Sequence, residues 1–183
     1  MTKAAHPAHF SARELREVFG TFATGVTVVT AVRADGEPVG TTANSFTSVS
    51  LDPPLILWCL SVKSKSISAF SPGAPFAVHV LAHDQRDLAV HFARSGRERF
   101  DVDAYWRENP RPPHIAGVLS RMECGVHSSF LAGDHWIIVG EVRGLETRAA
   151  EPLAFHAGRF GRFTVEPDTS GIGAWQTLHG EWF

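Results

Sequence analysis

Residues 39–58 read V-G-T-T-A-N-S-F-T-S-V-S-L-D-P-P-L-I-L-W, from Val39 to Trp58, and their reading decides the rest of the chain. The first half is small and hydroxylated: Gly40, Thr41, Thr42, Ala43, Asn44, Ser45, Thr47, Ser48 and Ser50. Such residues let a ligand approach the backbone, and their hydroxyls add donors and acceptors. Phe46, Val49 and Leu51 interrupt the run at intervals that predict burial. Asp52-Pro53-Pro54 is a stiff turn, because each proline fixes φ and restricts the residue before it. Leu55–Leu60 is predicted as a buried strand. Two readings follow. One is a Ser/Thr-rich loop joining two strands. The other is a wall of amides and hydroxyls braced by a core strand, suited to a flat, polar-edged ring.

Bulk properties narrow the field. The 183 residues are 44% hydrophobic and 20% charged, with a formal net charge of -2, which suits one domain with a real core. No basic run points to nucleic acid or a membrane surface. No apolar stretch approaches the roughly 20 residues that span a bilayer. Residues 1–9 are expected to be disordered and lack the apolar core of a signal peptide, which points to the cytoplasm. The domain is expected over 10–165, with a tail over 166–183. Cys59 and Cys124 lack C-x-x-C partners and read as small core residues.

In chain order, Ser11-Ala12-Arg13-Glu14 has the form of a capping box, and Leu15, Val18, Phe19 and Phe22 fall at helical spacing. A helix is predicted over 12–22. Thr24 to Val32 predicts one strand, and Asp35-Gly36 a tight turn into the next. Gly25 reads as a packing glycine or a point of close approach. Ser61 to Ser66 predicts a loop entering a short helix over Ile67, Ala69 and Phe70, either solvated or a place where amides, Ser and Lys meet an anion. Phe76 to Leu81 is a strand with Phe76, Val78 and Val80 on one face and His79 on the other. Asp84 is expected to cap a helix to Ala93 whose apolar face is Leu88, Ala89 and Phe92. His79, His83 and His91 read as surface or capping histidines, not a metal site. Residues 94–115, with Arg97, Arg99 and Phe100, predict an excursion over the surface. Strands are expected over Val118–His127, Trp136–Leu145 and Leu153–His156.

Three motifs in order carry a resemblance: Thr24-Gly25-Val26-Thr27-Val28-Val29-Thr30, the Thr42–Leu55 run, and Gly133-Asp134-His135. Together they resemble the short-chain flavin reductase family, the reductase partners of two-component flavin monooxygenases, over roughly residues 10–165. The resemblance implies a mainly β fold with peripheral helices, an FMN-binding split β-barrel of Greek-key type, assembled as a homodimer. It implies FMN or FAD held by Thr41, Thr42, Ala43, Asn44, Ser45, Ser48 and Ser50. It extends the flavin site to Cys59, Leu60 and Ser61 and, on the phosphate side, to Lys63, Ser64 and Ser66. Phe100, Asp134, His135 and Phe160 complete the implied set; Phe160 stands where a Tyr is more usual.

The chemistry needs little acid–base help. A reductase of this kind must position a nicotinamide against a flavin and stabilise the charge gained at the flavin N1/O2 edge. The G-x-G-x-x-G fingerprint is absent, which argues against a Rossmann site. On spacing alone, Gly133-Asp134-His135 is equally a polar hairpin turn. The resemblance makes His135 the leading catalytic candidate, with His127 behind it, and NADH the expected donor, with NADPH the alternative. The expected partner is a monooxygenase receiving reduced flavin by diffusion. Two other readings stay open: a non-catalytic flavin-binding electron carrier, and an FMN oxidase of the pyridoxamine-phosphate-oxidase type.

Overall fold

A computed structural model describes residues 10–94, 100, 106–107 and 112–164. The expected terminal segments and Arg97 and Arg99 therefore lie outside the described residues. The body is an antiparallel sheet of seven strands in the order β3-β2-β6-β9-β10-β5-β4. Its strands are β2 (Thr27–Val32), β3 (Pro38–Ala43), β4 (Thr47–Leu51), β5 (Pro54–Ser61), β6 (Pro75–Val80), β9 (Ser120–Ala132) and β10 (His135–Thr147). A three-stranded sheet joins β1 (Thr24–Gly25), β11 (Leu153–His156) and β12 (Arg159–Arg162), and β7 (Trp106–Arg107) pairs with β8 (His114–Ile115).

The connection between β3 and β4 forces this sheet to curl. The two strands are opposite edges, yet only Asn44–Phe46 separate them. Six spacings of ~4.8 Å would set the edges of a flat sheet ~29 Å apart. The extended chain from Ala43 to Thr47 reaches at most ~14 Å. The sheet therefore curls into an open barrel, with no β3–β4 ladder to close it. Val29, Ala31, Val39, Ala43, Ile56, Trp58, Phe76, Val78 and Ile138 fill the interior. Gly140 of β10 lets Phe76 in; a Cβ there would lie 2.4 Å from the Phe76 ring.

A second core lies outside the barrel. Val28, Leu81, Ile115 and Leu153 pack there against Leu88, Ala89 and Phe92 of helix α2 (Arg86–Ala93). With both faces covered, β2 reads as a near-continuous Val/Thr run. Its buried hydroxyls are satisfied: Thr27 donates to the Ala43 carbonyl at 2.7 Å and Thr30 to the Pro113 carbonyl at 2.6 Å.

Several expectations are corrected. Helix α1 is Ala12–Phe19, shorter than 12–22, with the Ser11–Glu14 capping box in place and no buried residue. The Thr24–Val32 segment is two strands in different sheets, broken at Val26. Gly25 is not a packing glycine, since no described residue lies within 4 Å of a Cβ built on it. Val49 and Leu51 are exposed on edge strand β4, and only Phe46 of that trio packs on the core. Strand β5 buries one face alone, through Ile56, Trp58 and Leu60. Gln85, not Asp84, is the N-cap of α2, and no side chain caps it. Strands β9 and β10 form a longer hairpin than predicted.

His79 departs furthest from its reading as a surface group. It is fully buried on the outer face of β6. The Ile115 N–H donates to its Nε2 at 3.2 Å, so the proton sits on Nδ1, 3.1 Å from the Val28 carbonyl. Burial pushes its pKa down to about 3. No cluster of three or more His, Cys, Asp or Glu is placed to hold a metal among the described residues.

Candidate active site

Sheet register assembles the site. On β5 the side chains alternate, so Cys59 and Ser61 face outward while Trp58 and Leu60 face the core. Strand β10 pairs His135 with Ser61 and Ile137 with Cys59. Directly opposed residues of an antiparallel pair share a face, so His135, Ser61 and Cys59 stand together outside the barrel. Gly133, at φ 62, makes the β9–β10 turn that delivers His135 to this position.

The opposite wall is β3 and the crossing that follows it. The Thr47–Leu57 register, carried back two residues, sets Ser45 opposite Cys59. There the Ser45 hydroxyl, not a backbone carbonyl, accepts from the Cys59 N–H at 2.9 Å. A side chain thus continues the ladder where the strand has ended. On β3, Gly40 and Thr42 share the face toward α2. Phe92 lies so close to Gly40 that a Cβ there would be 2.6 Å from its ring. The Thr42 hydroxyl donates to the Ala89 carbonyl at 2.7 Å.

Between these walls lies a cleft of about 450 Å³, lined by Thr41, Thr42, Ala43, Asn44, Ser45, Cys59, Leu60, Ser61, Lys63, Ser64, Ala93 and His135. Sequence reasoning missed Ala93, because only the docking of α2 on β3 brings it there. Cys59, expected in the core, is half-buried at the cleft, whereas Cys124 is buried, with its thiol pushed up to about 12 by desolvation. Ser48, Ser50, Ser66 and Asp134 do not line the cleft. Phe100 and Phe160 pack on the second core, Phe100 against Phe92 and Phe160 against Phe155.

Charge at the cleft comes from three neighbours. The His135 Nδ1 lies 2.7 Å from Asp134 Oδ1, and this bond holds the Asp134 carboxyl below its usual range, with help from Lys63. Lys63 makes no ion pair among the described residues. Beyond β5 the turn organises itself: Ser61 Oγ accepts from the Lys63 N–H, and Ser64 Oγ from the Ser66 N–H. Each hydroxyl keeps a proton to donate. A small-residue wall, hydroxyl donors and an ammonium fit a flat ring carrying a phosphate chain.

A second recess of about 400 Å³ lies between Ile115–Arg121 and Glu146–Arg148. Its guanidinium groups are committed, Arg121 to Glu146 and Arg148 to the Val118 and Gly117 carbonyls, so it offers a ligand less.

Residues 19–164 match the flavin reductase like domain. The chain belongs to that family. Among curated members, it is 48% identical over 159 residues to the FMN reductase (NADH) SmoA of Agrobacterium fabrum, covering 86% of this chain and 90% of SmoA. It is 36% identical over 167 residues to HsaB of Rhodococcus jostii, the reductase subunit of a flavin-dependent monooxygenase, covering 90% and 83%. The Streptomyces globisporus NADH:FAD oxidoreductase SgcE6, solved with NAD and FAD fragments, superposes with a TM-score of 0.76 at 44% identity, covering 86% of this chain and 94% of that one. The flavin reductase fold is therefore the fold of this chain, as the three sequence motifs implied. No helix among the described residues is long and apolar enough to cross a membrane.

Proposed function

We infer that this chain is an NADH-dependent flavin reductase that supplies reduced flavin to a partner monooxygenase. The observation that carries the reading is the convergence of the small-residue wall, Lys63 and His135 on one cleft, in a chain of this family. A flavin held in this cleft would supply the hydride acceptor for a dihydronicotinamide. The chain's own task is placement. The backbone of Thr41–Ser45 forms a face without bulky side chains, against which a ring can lie flat. Lys63 and the Ser61 and Ser64 hydroxyls present positive charge and donors to a phosphate. His135, with Nδ1 held by Asp134, keeps Nε2 for the nicotinamide carboxamide or the ring edge.

The same reading extends to assembly and location. Phe19, Phe22, Leu51, Leu131 and Leu145 are each more than 60% exposed, which supports a second copy covering part of this surface. Two cysteines without a disulfide suit the cytoplasm. Release of reduced flavin by diffusion is consistent with an open cleft.

The test is NADH oxidation followed with and without added FMN or FAD, alongside flavin titration of the purified protein. Consumption that requires free flavin is expected. Tight flavin binding without NADH oxidation would instead mark an electron carrier.

A further inference from the structure

We propose that Thr42 is a positioning residue, whose side chain ties helix α2 to the cleft wall rather than grasping the ligand; the proposal rests on the flavin-cleft reading. Strand alternation places Thr42 on the same face of β3 as Gly40, the face on which Phe92 lies. Its hydroxyl proton goes to the Ala89 carbonyl at 2.7 Å. A threonine hydroxyl has one proton, so none remains to donate to a flavin.

The identity of the acceptor gives the bond its consequence. In an α-helix the carbonyl of residue 89 also accepts from the N–H of residue 93. Ala93 is the last residue of α2 and lines the cleft. Thr42 therefore fastens the final turn of the helix through the carbonyl that closes it. Helix ends fray readily; the other end of α2 is anchored through Gln85, whose side chain bonds Ala82 and Ala116, and this end through Thr42. The Gly40–Phe92 contact sets the depth of the helix. The Thr42–Ala89 bond fixes its position along the strand, and with it the Ala93 methyl at the cleft.

The experiment compares Thr42→Val and Thr42→Ser with the parent, and reads the flavin-free protein first. In Thr42→Val, amide hydrogen exchange at Phe92 and Ala93 is expected to rise about fivefold, the effect of losing one net hydrogen bond. Flavin should then bind about fivefold more weakly, while Thr42→Ser stays close to the parent in both measurements. If the valine variant unfolds, Thr42→Ala gives the same reading. Weaker flavin binding with unchanged exchange in α2 would make Thr42 a direct ligand residue and overturn the proposal. No change in either measurement would overturn it equally. If the parent protein bound no flavin, the cleft reading would fail, but the exchange measurement would still judge the tie to α2.

Discussion

The Nδ1–H of His135 points at the Asp134 carboxylate, 2.7 Å away, so one residue fixes the ring that its neighbour presents to the cleft. The pair stands at a hairpin turn, and the Val62 N–H donates to the Asp134 carbonyl at 3.0 Å, which binds the turn to the end of β5. Removing the Asp134 carboxylate should let the imidazole rotate. We expect Asp134→Ala and His135→Ala to raise the KM for NADH about tenfold, the scale of one charge-assisted hydrogen bond. The flavin Kd should move less than twofold. Steady-state kinetics with a parallel fluorescence titration checks this, and a larger change in the flavin Kd would reverse the assignment of His135.

Ser45 substitutes for a missing ladder partner. In Ser45→Ala the Cys59 N–H loses its acceptor in a half-buried position. A loss of about 1–2 kcal/mol in stability is expected, together with weaker flavin binding as the wall parts from β5. Urea unfolding measures the first and titration the second. Parent-like stability would show that the bond carries no weight.

The two cysteines provide a chemical map of the cleft. Cys59 borders it, while Cys124 is buried, with its thiol pushed up to about 12. A maleimide should label Cys59 alone in the native protein, and saturating FMN should slow that labelling. Labelling at an unchanged rate with flavin bound would place the ligand elsewhere.

Acid should weaken the fold through His79. Its pKa is about 3 in the fold, against ~6.5 for an unfolded histidine. Between these values the unfolded chain binds a proton that the folded chain does not, so stability rises with pH. The contribution is complete above pH ~6.5 and declines by up to ~1.4 kcal/mol per pH unit as pH falls through the window. His114, facing His79 and also pushed down by burial, adds a slope of the same sign, while Glu123 opposes it. Urea unfolding at pH 7.5 and 5.5 should give a clear difference that His79→Gln reduces. Equal values for the parent protein would refute the burial argument.

Gly40 is expected to resist enlargement. A methyl group there meets the Phe92 ring at 2.6 Å, so Gly40→Ala must displace that buried ring. The expected cost is about 1–3 kcal/mol, read as a lower Tm.

Much of this was legible in the residues, for identifiable reasons. The hairpins β2–β3 and β9–β10 announce themselves by turn chemistry at Asp35-Gly36 and Gly133, and β11 by its apolar run. On composition the small hydroxylated run reads equally as a loop or a wall, and the motif resemblance chooses between them; residues 41–45 of it line the cleft. What the sequence concealed depends on distant partners. His79 looks like a surface histidine until β8 comes to lie over it. Cys59 looks apolar until alternation turns it outward, opposite Ile137. Thr42 and Ser45 look like ligand-binding hydroxyls. In the fold their side chains answer first to Ala89 and to Cys59. Nothing local to 39–58 encodes a helix forty-odd residues further on.

The crossing at Asn44–Phe46 also constrains how this chain can change. It draws two sheet margins together like a short stitch, whereas most surface connections have length to spare. One added glycine there would slacken both sides of the cleft at once, and one removed residue would pucker the seam. Insertions are therefore expected to be better tolerated on other loops, and this stitch sets the gauge of the opening.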